Sequence, residues 1–123
     1  MGATVERGGV AITAAPLEIQ AGGYADTEQF LCTRVTLTND SDESVRVPSI
    51  FRFHLQDPAG RGSTSEYLSS VEDLEYDELA PGGSPVSGSV CFDDPGQSGE
   101  YVVLGEGLFG FSDTTRIGWV TER

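Results

Sequence analysis

The strongest pattern along the chain is alternation between apolar and polar positions, the mark of half-buried β-strands. Residues 8–19 set Val10 and Ile12 two apart before Pro16 interrupts the run, which predicts an edge strand or a strand that switches sheets. The strand Phe30–Thr38 carries Leu31, Thr33, Val35 and Leu37 on one side, and Phe30, Cys32, Arg34, Thr36 and Thr38 on the other. A third strand is expected from near Val45 to Gln56, with Phe51, Phe53 and Leu55 facing one way and Arg52, His54 and Gln56 the other. Later, Val86, Gly88, Val90 and Phe92 share a face, Tyr101–Leu104 forms a short apolar strand, and Ile117 and Trp119 share the last one.

Turn formers separate these segments: QAGGY, NDSDES, DPAGRG, APGGS and FDDPGQSGE. Residues 62–80 are the least strand-like and read as a helical turn, or as a covering loop with a short strand at 67–71. The Gly-rich run GEGLFGFSD is expected to plug one end of the core with its two phenylalanines. Short strands at regular spacing predict an all-β, antiparallel β-sandwich of about seven strands. The expected organisation is one domain over 8–123, with 1–7 as a disordered lead or a remnant left by trimming. On that reading a native leader or lipid anchor is missing.

Charge narrows the function classes. The chain has 20 acidic residues against 7 basic ones, all arginine, for a net charge of −13. Such a surface repels phosphate backbones, so nucleic-acid binding is not expected. No run of about 18 apolar residues is present, so direct membrane insertion of this domain is not expected either.

The only cysteines are Cys32 and Cys91. The face of strand 30–38 that contains Cys32 also holds an arginine and two threonines, and Cys91 alternates with Ser87, Ser89 and Asp93. Both therefore belong to outer, solvent-facing sides. Outward cysteines on opposite sheets cannot meet, because stacked sheets lie ~10 Å apart. They can meet on neighbouring strands of one sheet. In immunoglobulin order these are B and E, which are neighbours. The expectation is a surface, cross-strand Cys32–Cys91 disulfide. The alternative is two free thiols. A bridge would imply an oxidising, exported location.

Candidate chemistry is sparse. His54 is the single histidine, set on the polar side of its strand, so no hydrolytic triad and no catalytic residue is assigned. No cofactor is called for. Calcium prefers six to eight oxygen ligands, and the acidic turns supply weak candidates in Asp73, Asp77, Asp93 and Asp94, although none has EF-hand spacing. Tyr67 and Tyr76 are weak candidates for contact with a partner. Asn39-Asp40-Ser41 matches a glycosylation sequon, but Asn39 is better explained as the residue that ends its strand and starts a turn.

Three stretches together resemble a known family: FLCTRVTLTNDSDESVRV, IFRFHLQDPAGR and LAPGGSPVSGSVCFD. Asn39 closes a hydrophobic strand, Phe53, Leu55, Asp57 and Gly60 make a strand and turn, and Leu79, Pro81 and Gly82 make the next turn. Over about residues 28–95 this plan is similar to the telokin-like, immunoglobulin-like domains of bacterial surface lipoproteins and secreted proteins, a fold group that includes a secreted immunoprotective antigen. The resemblance implies an exported, non-catalytic interaction or structural module of the cell envelope, located outside the cell or on its surface, with a protein or envelope partner. A calcium- or ligand-binding module and a small secreted enzyme stand as the alternatives.

Overall fold

The structure is a computed structural model that describes residues 2–21, 29–48, 50–66, 74, 78–107 and 116–123. At Ala21 and Phe51 only the backbone is described. Two antiparallel sheets face each other across one apolar core. The first holds β1 (Thr4–Arg7), β2 (Val10–Ala14), β3 (Glu18–Ala21), β4 (Gln29–Asn39) and β9 (Val86–Asp93). The second is ordered β11 (Arg116–Glu122), β10 (Glu100–Glu106), β6 (Phe53–Gln56), β7 (Gly62–Thr64). A third pairing joins β5 (Val45–Arg46) to β8 (Glu78–Leu79).

Alternation sets what is buried. Leu31, Val35 and Leu37 of β4 meet Val90 and Phe92 of β9 and Ile12 of β2. Phe53, Leu55, Tyr101, Val103 and Trp119 fill the space from the second sheet. β2, β6 and β10 bury every second residue, as the sequence pattern requires, whereas β4 and β9 bury consecutive residues around Cys32 and Cys91. The order β11-β10-β6-β7 and the pairing of β4 with β9 correspond to the immunoglobulin orders G-F-C-C′ and B-E.

Tyr101 adds a second immunoglobulin feature. It is the second residue of β10, is fully buried, and donates its hydroxyl to the Gln97 carbonyl at 2.6 Å. A tyrosine bonded to backbone a few residues upstream at this corner is a hallmark of such sandwiches. Burial raises its phenol pKa above the usual 10, and the nearby Asp94 carboxylate acts in the same direction.

Four expectations need correction. Residues 4–7 are not a disordered lead. They form β1, paired with β2 from Thr4↔Thr13 to Arg7↔Val10, and the Trp119 indole donates to the Ala3 carbonyl at 3.0 Å. The expected strand from Val45 is broken. β5 pairs with β8 instead of β6, and a single 3-10 turn at Ile50–Arg52 leads into β6. The described residues also form eleven strands, because several of the expected ones divide into shorter pieces.

The fourth correction concerns Pro16, where the chain does not switch sheets, although the other expectation, an edge strand, holds for β3. β2 and β3 lie along the same edge of β4, with Ala14 opposite Val35 and Glu18 opposite Cys32. Three residues, 15–17, therefore face two, 33–34, which is a bulge. Proline fits there because its missing N–H would interrupt a regular ladder. The buried Thr33 hydroxyl donates to the Ala15 carbonyl at 2.7 Å and secures the bend. Within 62–80, the ends form β7 and β8, while 67–73 and 75–77 lie outside the described residues.

Candidate functional site

Cys32 and Cys91 are directly opposite in the β4–β9 register and form a disulfide, with Cα atoms 4.1 Å apart. Backbone direction explains the close approach. The Cys91 carbonyl accepts from the Glu66 N–H at 2.8 Å, so its peptide groups point away from β4. Cys32 and Cys91 are thus a non-hydrogen-bonded pair, in which Cα atoms come closest. Both side chains lie on the face away from the main core, as alternation predicts.

Their exposure differs from the expectation of a surface bridge. Cys32 is 6% exposed and Cys91 is fully buried, and together with Phe30 they form a separate small apolar cluster. The outer face of β4 changes character along its length. From Arg34 to Thr38 it is polar, with the Thr36 hydroxyl 2.9 Å from that of Ser87. At Phe30 and Cys32 it is apolar and covered. Phe30, two residues before Cys32 on the same face, is the sequence signal of this cover, while Arg34 marks only the solvated half of the strand.

A cleft of about 340 Å³ lies beside the bridge, lined by Ala15, Pro16, Glu18, Cys32, Arg34 and Ser89 among others. It contains a cation, a carboxylate and a hydroxyl, but no histidine. The single histidine, His54, sits half-buried on the other sheet, between Leu104 and Thr64. A smaller cavity of about 190 Å³ adjoins the β6–β7 turn near Asp57, Arg61 and Asp93.

The acidic turns are occupied with their own backbone. Asp94 Oδ1 accepts from the Gly96 N–H at 2.8 Å, and Asp57 Oδ1 accepts from Ala59 and Arg61 N–H at 3.0 and 2.9 Å. Asp93 is exposed at the end of β9. Among the described residues no three acidic, histidine or cysteine side chains gather where a metal ion would sit. Asp73, Asp77, Tyr67 and Tyr76 lie outside the described residues.

Asn39 makes four side-chain hydrogen bonds. It is buried. Its amide nitrogen donates to the Glu43 and Leu79 carbonyls at 2.7 and 3.0 Å, and its oxygen accepts from the Ser41 N–H and hydroxyl at 3.0 and 2.6 Å. The Gly82 N–H also donates to the Asn39 carbonyl at 2.9 Å. This one residue joins the NDSDES turn to the LAPGG turn, and its amide is committed to the fold.

Solved structures share the architecture. The yjhA protein from Bacillus subtilis matches with a TM-score of 0.68 at 17% identity, over 99% of this chain and 96% of that one. MPT63, a secreted protein from Mycobacterium tuberculosis, matches with a TM-score of 0.64 at 15% identity, over 99% and 93%. A candidate lipoprotein, ycdA, from Bacillus subtilis matches with a TM-score of 0.72 at 12% identity, over 97% of this chain but 38% of that chain. At these identities the likeness is one of fold. No curated protein matches the sequence. A family model described as a domain of unknown function, DUF4352, matches residues 1–115, and the chain belongs to that family.

Proposed function

We propose that this domain is an exported, non-catalytic immunoglobulin-like module that acts by contact with a protein or envelope partner. The Cys32–Cys91 disulfide carries this reading. Such bonds persist in oxidising compartments and are rare in the cytosol. Its place in a buried cluster, on the pair of strands that holds the first sheet together, fits a structural bond made once and kept. The fold shared with a secreted protein and a candidate lipoprotein supports the same compartment.

The test is fractionation of the source cells, with thiol labelling before and after reduction. Export predicts protein in the envelope or the medium, with both cysteines unreactive until the bond is reduced. Protein confined to the cytosol with two reactive thiols would overturn the reading.

A further inference from the structure

The outer face of the β11–β10–β6–β7 sheet is arranged in four rows. Glu100 stands opposite Glu122, Val102 lies between Val120 and Gln56, Leu104 lies between Gly118 and His54, and Glu106 stands opposite Arg116. Successive rows are about 6.7 Å apart, twice the rise of a strand residue. The alternate residues Tyr101, Val103, Phe53, Leu55 and Trp119 are those buried in the core, so the rows face outward.

Across β10 and β11 the two middle rows are apolar, and on β6 they end in the exposed Gln56 and the half-buried His54. Val120 is 48% exposed, and Val102 and Leu104 are partly so. Gly118 leaves room for both neighbours to lean across it, since a Cβ there would lie 3.2 Å from Val102 Cγ1 and 3.5 Å from Leu104 Cδ2. The result is an aliphatic strip of Val102, Leu104 and Val120 across β10 and β11.

The ends of the strip differ in charge. At one end Arg116 pairs with Glu106 at 3.0 Å, so charge is balanced. At the other, Glu100 and Glu122 are both exposed, directly opposed and alike in sign, and no described cation pairs with either. Like charges directly opposite across a sheet are destabilising, so the pair is a feature the fold alone does not favour. A cation placed between them relieves that repulsion.

We propose that this face docks a basic, partly apolar segment of a protein partner. A lysine or arginine is taken between Glu100 and Glu122, and aliphatic side chains lie across Val102, Leu104 and Val120. A second copy is a poor occupant, because each chain carries a net charge of −13 and the face itself adds to the repulsion. A small ligand is a poor occupant because the face is a strip and not a cavity. The inference deepens the interaction-module reading and rests on it.

The test is titration of the isotope-labelled protein with short peptides, followed by backbone amide shifts. The probe alternates lysine with valine, and controls of equal length alternate lysine with serine or glutamate with valine. The expected result is saturable binding of the lysine–valine peptide, with shifts confined to 54–56, 100–106 and 116–122. Changing both Glu100→Gln and Glu122→Gln should weaken it about tenfold, and Val120→Ser should weaken it while leaving the serine control unchanged. Shifts spread over the whole acidic surface, equal binding of both lysine peptides, no effect of the charge variants, or a dimer formed through this face would each overturn the proposal. Failure here leaves the location found by fractionation untouched, so the two readings fail separately.

Discussion

The Trp119 indole donates to the Ala3 carbonyl across 116 positions of sequence, joining the last strand to the residue that leads into the first. The first residues of the chain are thereby part of the packed fold, since Trp119 is buried and needs a partner for its N–H. Removing residues 2–7 should strip β1 from β2 and leave that N–H unpaired. The expected outcome is a loss of about 1–3 kcal/mol or more, with red-shifted tryptophan emission. Chemical denaturation followed by fluorescence measures both.

The Cys32–Cys91 bond joins residues 59 positions apart in sequence. In the chain-entropy model closing a loop of this size contributes about 4 kcal/mol. The Cys32→Ser, Cys91→Ser double variant should fall short of the native protein by roughly that amount in a urea titration. Because both sulfurs are buried, reduction of the native protein should accelerate with denaturant in step with opening of the fold. Rapid reduction at zero denaturant would show instead that the bridge is accessible.

Asn39→Ala removes two donors and an acceptor from a buried clasp. Left unsatisfied, the Leu79 carbonyl and its companions should cost about 2–3 kcal/mol. Asn39→Asp keeps the acceptor for Ser41 but loses the donors to Glu43 and Leu79, so it should also destabilise. Thermal melts of the two variants would be the direct comparison, and a native melting temperature for either would mean the clasp contributes little.

Tyr101 gives the protein an alkaline limit. Its folded pKa is raised above 10, so the folded state holds the phenol proton more tightly than the unfolded chain does. The resulting stability is fully present below pH 10 and is lost as pH rises through the folded value. Tyr101→Phe should lose the bond to Gln97, costing about 1 kcal/mol at neutral pH. The difference between native and variant should shrink above pH 10. A gap that stays constant to high pH would contradict the assignment.

Much of this fold was written in the alternation. The core faces of strands 30–38, 86–92 and 101–104 follow directly from it, and so does the shared face of Cys32 and Cys91, whose place on neighbouring strands follows from the immunoglobulin B–E order. Burial of the bridge was less legible, because alternation assigns a face and not its cover. The Phe30 cluster depends on a few residues at one end of a strand whose other end is polar. β1 was missed because TVER carries one apolar residue and buries almost nothing, its place being set by main-chain pairing to β2. The Pro16 bulge was visible as an interruption, but its consequence needed the register of β4. The aliphatic strip on the second sheet was hidden for a related reason. Val102, Leu104 and Val120 read as ordinary strand residues until the pairing of β10 with β11 sets them side by side.

β4 carries β2 and β3 on one edge and β9 on the other, and these neighbours do not become available together. β2 and β3 lie close by in sequence, whereas β9 must return across more than fifty residues. Closing so long a loop is the slow entropic step in forming a sheet of this kind. A chain that keeps its bridge while unfolded has that closure already made. It should therefore refold faster than the reduced chain, and the order of events would change, with the central pair of the first sheet assembled before its outer neighbours instead of after them.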